Sequence, residues 1–264
     1  MKKVWLIGPG NIGIEYVKVL QGMDVDITAI GRSPRKDWII PVYEHGLDNY
    51  ISQFPDCIAD YAIVAVDESQ LYLVTKKLIT KGVKNILVEK PAGINKIQIS
   101  KLERMATNAK CNLFVAYNRR FYQSVQKCKE KINQSEGPIS VNFSFTEWTH
   151  AISFDTYSAK ELERFVRGIL INYNSNWESA GRWSIEICLP DEKLILRPLE
   201  KLHVQRKGSL DIVEYKLQHE HIDLDYKAGL YEEVKSFLTE QNNLCTIAEQ
   251  VQNFKWFYKM ANYK

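Results

Sequence analysis

Val4-Trp5-Leu6-Ile7 runs directly into Gly8-Pro9-Gly10-Asn11-Ile12-Gly13, so an apolar segment of strand length meets a GxGxxG turn at the very start of the chain. In this spacing the first glycine permits a tight turn and the second lets the backbone approach a pyrophosphate. The third lets the next helix sit close on its strand, with its N-terminal N–H groups aimed at the phosphates. Glycine clusters also mark ordinary turns, so the flanking elements must carry the assignment. Both are present, because Ile14, Val17 and Leu20 recur on one helical face after the turn. The pattern predicts a dinucleotide site with Gly8, Pro9, Gly10, Asn11, Ile12 and Gly13 as its first contacts.

Alternating short apolar runs and helical patterns continue through the first half, as repeated βα units require. Strands are expected at Lys3 to Ile7, Asp26 to Ile30, Tyr61 to Val66, Asn85 to Val88 and Asn112 to Ala116. Amphipathic helices are expected at Gln70 to Lys81 and Lys96 to Ala109. From Phe121 the pattern changes to one helix, to Asn133, and then strand-like segments at Ile139 to Trp148, Ile169 to Trp177, Trp183 to Leu189, Leu194 to Arg197, Lys201 to Gln205 and Leu210 to Leu217. Helices from Ala228 to Leu238 and Thr246 to Met260 close the chain. The fold class is therefore α/β: an N-terminal Rossmann domain with a doubly wound parallel sheet (1–120) and a C-terminal α+β domain with a largely antiparallel open sheet (121–264). The last two helices are free to pack back on the first domain.

With 264 residues, of which 45% are hydrophobic and 25% charged, the chain can bury a real core. A net charge of +3 with dispersed basic residues argues against a nucleic-acid surface. No apolar stretch is long enough to span a membrane, and the run after Met1-Lys2-Lys3 is too short for a signal peptide. Five widely spaced cysteines show no metal-like pairing and are expected to be reduced thiols in the cytoplasm.

In doubly wound sheets ligands sit beyond the carboxyl ends of the strands, so the residues there carry the chemistry. After the second strand come Gly31-Arg32-Ser33-Pro34-Arg35-Lys36, with no carboxylate until Asp37. Guanidinium groups at Arg32 and Arg35 with the Ser33 hydroxyl suit a ribose 2′-phosphate, hence NADP, with NAD the second choice; the alternative is a basic surface turn. Val66, Asp67 and Gln70 follow the next strand and join the cofactor candidates. After the fourth strand, Glu89-Lys90-Pro91 offers Glu89 and Lys90 to the cofactor. Lys90 can act as an acid or base if desolvation or nearby positive charge lowers its pKa, and otherwise it is a surface lysine before a loop. The fifth strand ends in Tyr117-Asn118-Arg119-Arg120-Phe121, whose phenol, amide and guanidinium groups can bind a polyhydroxylated or carboxylated ligand or can form interdomain ion pairs.

Together the glycine turn, Glu89-Lys90-Pro91 and Tyr117-Asn118-Arg119-Arg120-Phe121 resemble the Gfo/Idh/MocA family of NAD(P)-dependent oxidoreductases. The resemblance continues through Phe145-Thr146-Glu147-Trp148-Thr149-His150, Asn176-Trp177-Glu178-Ser179-Ala180-Gly181-Arg182-Trp183 and Leu196 to Leu202, in the manner of the branch associated with surface-polysaccharide and sugar metabolism. It implies hydride exchange with a sugar, polyol or nucleotide sugar, with Lys90 near the nicotinamide. It also implies substrate contacts from Tyr117, Asn118, Arg119, Arg120, Trp148, Trp177 and Arg182, and a homodimer or homotetramer through an open C-terminal sheet. Trp183 is a further candidate for a stacking wall, although tryptophans also serve simply as sheet packing.

One departure stands out. The family usually carries a histidine-bearing helix after the strand corresponding to Ile139 to Trp148, whereas here Glu161 to Val166 passes almost directly to the strand at Ile169. His150, His45, His203, His219 and His221 do not replace it. His219-Glu220-His221 places two imidazoles on one strand face, which is a poor metal site without a third ligand, so no metal is expected. Two functions remain open: an NADP-dependent oxidoreductase, or a non-catalytic dinucleotide-binding relative, a sensor or assembly subunit, that has lost the histidine helix.

Overall fold

A computed structural model of the chain describes residues 1–33, 38–136, 139–146, 171–176 and 183–260. Two compact units divide it: Met1–Asn118 with Leu230–Lys255, and Arg119–Gly229 with Trp256–Lys264.

The first unit is built on β1 (Lys2–Ile7), β2 (Val25–Ile30), β3 (Val42–Tyr43), β4 (Tyr61–Val64), β5 (Asn85–Glu89), β6 (Asn112–Ala116) and β13 (Cys245–Thr246). They lie in the order β13-β6-β5-β4-β1-β2-β3, parallel except where β13 runs against β6. Strands covered on both faces must be apolar throughout rather than alternating. Accordingly Val4–Ile7, Ala62–Val64, Ile86–Val88 and Leu113–Ala116 are all buried. Chain order reverses between β1 and β4, whose register runs from Val4↔Tyr61 to Ile7↔Val64, which puts the topological switch point beside Gly8.

Helices α1 (Asn11–Gln21), α2 (Gly46–Gln53), α3 (Glu68–Lys81) and α4 (Lys96–Ala109) connect these strands. Local chemistry sets their ends. Asn95 caps α4 by accepting the Gln98 N–H at 3.0 Å, and α3 stops at Gly82 in the left-handed region. Two later helices, α7 (Leu230–Leu238) and α8 (Ile247–Met260), the latter as far as Lys255, complete the unit. Leu230, Val234, Phe237 and Leu238 form a buried stripe at helical spacing, with the Phe237 ring edge-on to Tyr61 at 5.3 Å. Burial of a phenylalanine of this kind stabilises by about 1.5–3 kcal/mol. Thr246 begins α8 by accepting the Glu249 N–H at 3.1 Å.

The second unit opens with a 3-10 turn (Asn118–Phe121) and α5 (Gln123–Gln134), followed by β7 (Ser140–Thr146), β8 (Ile171–Asn176), β9 (Ser184–Cys188), β10 (Glu192–Leu196), β11 (His203–Arg206) and β12 (Ile212–Glu214). The sheet order is β12-β11-β10-β9-β7-β8, antiparallel except for the β7–β8 pair. Ile187, Leu194 and Leu196 bury one face in a cluster that includes Cys128 and Val125 of α5. On the other face the register aligns Cys188, Lys193 and Gln205, and likewise Glu186, Ile195 and His203, with Lys193 2.5 Å from Glu186.

Two expectations change. His219 and His221 do not share a strand face: His219 precedes the short helix α6 (Glu220–Asp225), and the two rings stand 6.2 Å apart. No group of three or more metal-binding side chains occurs among the described residues. The strand expected from Leu210 to Leu217 shortens to β12, an edge strand paired only with β11, with Ile212 and Val213 exposed. All five cysteines are free thiols, and no helix among the described residues is long and apolar enough to cross a membrane.

Gly8 and Gly10 provide a stability test. Gly8 has φ +109°, and a Cβ there would stand 2.3 Å from the Ala65 carbonyl oxygen. Gly10 has φ −89°, and a Cβ there would meet nothing within 4 Å. Thermal or urea unfolding should find Gly8→Ala destabilised by about 3 kcal/mol or more through strain and overpacking. Gly10→Ala should lose at most about 1 kcal/mol, from the weaker helix cap. Equal losses would contradict this account.

Candidate functional site

The carboxyl ends of β1, β2, β4, β5 and β6 all lie on one edge of the first sheet, and the sequence candidates of that unit gather there. Around the glycine turn the backbone is interlocked. Gly8 N–H donates to the Ile30 carbonyl at 3.0 Å, and Ala65 N–H donates to the Ile7 carbonyl at 2.8 Å. A Cβ at Gly13 would stand 2.3 Å from the Gly8 carbonyl oxygen, so the third glycine is needed for α1 to sit this close to its strand. Gly10 is different, since neither its dihedral angles nor any neighbouring atom demands glycine. It is the N-cap of α1, with no side-chain cap, and the first turn of that helix carries no acidic residue. A helix N-terminus arranged in this way suits a phosphate, and Gly10 leaves room for close approach. The turn therefore fits the pyrophosphate of a dinucleotide.

Arg32 and Ser33 are exposed just beyond β2. The Arg32 stem passes Gly46, whose N–H donates to the Gly31 carbonyl at 2.6 Å. Arg35 lies outside the described residues. Trp38 was not anticipated: its indole Nε1 donates to the Pro9 carbonyl at 3.1 Å, and its ring edge lies 3.3 Å from where a Gly13 Cβ would stand. It packs against the turn from the far end of the loop after β2. Beyond β4, Val66 is half-buried and Asp67 is the N-cap of α3, one turn before Gln70, whose N–H donates to the Asp67 carbonyl at 2.8 Å.

At the end of β5, Glu89 accepts a hydrogen bond at 2.8 Å from the hydroxyl of Tyr16, on α1. Burial first, then the Glu89 and Glu233 carboxylates, raises the Tyr16 phenol well above its ordinary range, so it remains a hydrogen-bond donor. The glycine-turn helix is thus tied to the residue preceding Lys90. The Lys90 side chain is 60% exposed, with its Nζ 3.9 Å from Glu68 at the start of α3, so it is reachable by a ligand and has a carboxylate beside it. Pro91 and Lys90 form the centre of a turn closed by the Ala92 N–H donating to the Glu89 carbonyl at 2.9 Å.

Tyr117, at the end of β6, donates its hydroxyl to Gln250 Oε1 at 3.0 Å, and Gln250 Nε2 donates to the Pro91 carbonyl at 3.2 Å. Gln250 is fully buried on α8. The boundary between the two units falls after Asn118. In the second unit the exposed Arg119 stacks its guanidinium 3.7 Å from the Trp183 ring centroid, and the Arg120 carbonyl accepts from the Gln126 side chain. Trp148, Trp177 and Arg182 lie outside the described residues, as does the stretch in which the histidine helix is expected.

A groove of about 1140 Å³ elsewhere on the first unit is lined by Lys2, Asp60, Tyr61, Asn85 and Lys235. It lies at the amino ends of the strands, where this architecture does not bind ligands.

Sequence reading missed Tyr16, Trp38, Glu68 and Gln250. A polar residue in the apolar Ile247, Gln250, Phe254 stripe of α8 was the available signal for Gln250. Trp38 and Glu68 left no such trace.

No protein-family model matches the sequence, and no curated protein matches it. Solved structures do. A dehydrogenase from Clostridium difficile is 19% identical, with a TM-score of 0.70, covering 100% of this chain and 99% of its own. An inositol dehydrogenase homolog from Azotobacter vinelandii, solved with NADH and myo-inositol, is 12% identical with a TM-score of 0.70, over 99% and 94% of the two chains. UDP-N-acetylglucosamine 3-dehydrogenase from Acidithiobacillus ferrooxidans is 11% identical with a TM-score of 0.70, over 96% and 94%. At these identities the likeness is one of fold. The chain has the fold of the Gfo/Idh/MocA-type oxidoreductases.

Proposed function

We propose that the protein is an NADP-dependent oxidoreductase that exchanges a hydride with a sugar, polyol or nucleotide sugar. Gly10 carries this reading. It is a glycine that no intramolecular contact requires, and it stands at a helix N-terminus on the ligand edge of the sheet. The fold neighbours add support, as one was solved with NADH and myo-inositol and another is a nucleotide-sugar dehydrogenase.

When bound, the nicotinamide supplies or accepts the hydride. The chain's own residues do the rest. Gly10 to Gly13 hold the pyrophosphate with backbone N–H groups, and Val66, Asp67 and Gln70 border the cofactor beyond β4. Arg32 and Ser33, assisted by Arg35, pair with the 2′-phosphate. Lys90 Nζ holds or moves the proton at the substrate hydroxyl, with Glu68 beside it and Glu89 anchoring its strand end through Tyr16. Asn118 orients the substrate's hydroxyl groups.

Fluorescence titration should find NADPH bound at least about tenfold more tightly than NADH, as expected for one charge-assisted guanidinium–phosphate pair. Arg32→Ala should bring the two towards parity, and Gly10→Ala should weaken both. Tighter NADH binding by the unmodified chain would remove the assigned role of Arg32 and Ser33.

In a panel of sugars, polyols and nucleotide sugars, Lys90→Met should lower kcat by about 10²–10⁴ while cofactor affinity stays within about twofold. Unchanged turnover would remove Lys90 from its role. Binding without turnover across the panel would favour a dinucleotide-binding protein that does no chemistry.

A further inference from the structure

Gln250 occupies a position where its helix calls for an apolar side chain. Its neighbours in the buried stripe of α8 are Ile247 and Phe254, and Gln250 itself has no solvent exposure. A buried amide is costly unless its hydrogen bonds are made, and here both ends are used. The Pro91 carbonyl can only accept, so the Nε2 of Gln250 must face it, at 3.2 Å. The Oε1 then faces Tyr117, whose hydroxyl must donate, at 3.0 Å. One side chain therefore joins the turn that holds Lys90 to the last residue before Asn118, across the ends of the neighbouring strands β5 and β6.

The position of Gln250 is itself fixed from two sides. β13 pairs with β6 through Cys245↔Val115 and Thr246↔Phe114. Thr246 then caps α8 by accepting the Glu249 N–H at 3.1 Å. A helix anchored to β6 thus reaches over to the turn after β5.

A doubly wound sheet of this order comprises two mononucleotide halves about the crevice between β1 and β4. The adenosine phosphates belong with β1 and β2, where Gly10 and Arg32 lie, and the nicotinamide half belongs over the ends of β4 to β6. Gln250 touches only the second half.

We propose that Gln250 is a positioning residue for the nicotinamide half of the site, clamping the Lys90 turn to Tyr117 so that both strand ends meet the cofactor in one fixed geometry. This rests on the dinucleotide function proposed above. It assigns to the C-terminal helix a part in cofactor binding without direct contact.

The test compares two probes on the whole protein: NADPH, and 2′-phospho-ADP-ribose, which has everything but the nicotinamide. NADH and ADP-ribose take their place if the unmodified chain prefers NADH. Gln250→Leu should weaken NADPH about tenfold, the loss expected for this pair of hydrogen bonds, and leave 2′-phospho-ADP-ribose within about twofold. Tyr117→Phe, which keeps the bond to Pro91, should show the same selectivity at about threefold. A general structural defect would weaken both probes alike, and that result overturns the proposal, as does an unchanged NADPH affinity. If Gln250→Leu does not fold, Tyr117→Phe decides: selective loss supports the clamp and no loss overturns it. Failure of the unmodified chain to bind either dinucleotide would remove the underlying function instead, and the clamp with it.

Discussion

Backbone contact without side chains, at the crossing of β1, α1 and β4, is the constraint from which the candidate site follows. Gly8 lies so close to Ala65 that any Cβ would overlap a carbonyl, and Gly13 lies as close to Gly8. A Cβ at Gly31 would stand 2.4 Å from the Pro9 ring. Each glycine is thus required by a different neighbour, and together they bring the start of α1 and the ends of β1, β2 and β4 to one place. A crevice at the carboxyl edge follows, because the chain leaves β1 and β4 in opposite directions. Gly10 alone is not required by this packing.

The side chains beyond the crossing form a second layer of order. Tyr16 ties α1 to Glu89, Trp38 ties the loop after β2 to Pro9, and Gln250 ties Pro91 to Tyr117. All three are polar contacts made by largely shielded groups, where a missing partner costs more than the bond contributes in water. Tyr16 and Gln250 hold the Lys90 turn from both sides while leaving the Lys90 side chain open to ligand.

Much of this was legible in the sequence, for identifiable reasons. Parallel strands buried on both faces leave continuous apolar runs, so β1, β4, β5 and β6 were found within a few residues, and α4 matched its expected limits from Lys96 to Ala109. Elements too short for periodicity were not found: β3 and β13 have two residues each, and α2 owes its place to the ring contacts of Tyr50 with Tyr43, Trp5 and Phe54. His219 was misplaced because alternation of two residues is no pattern at all. In the site, residues within motifs were visible and their supports were not. Tyr16, Trp38, Glu68 and Gln250 act through partners far away in sequence, and such pairing is a property of the fold.

Amide hydrogen exchange with and without NADPH tests the central claim most directly, that the crevice at the β1–β4 crossing takes a dinucleotide along the carboxyl edge of the sheet. The account predicts slowed exchange at two separated places, the Gly10 to Gly13 amides and the turn from Glu89 to Gly93, with no change at the amino ends of the strands around Lys2, Asp60 and Asn85. Unchanged exchange in the glycine turn, or protection confined to the amino ends, would contradict it.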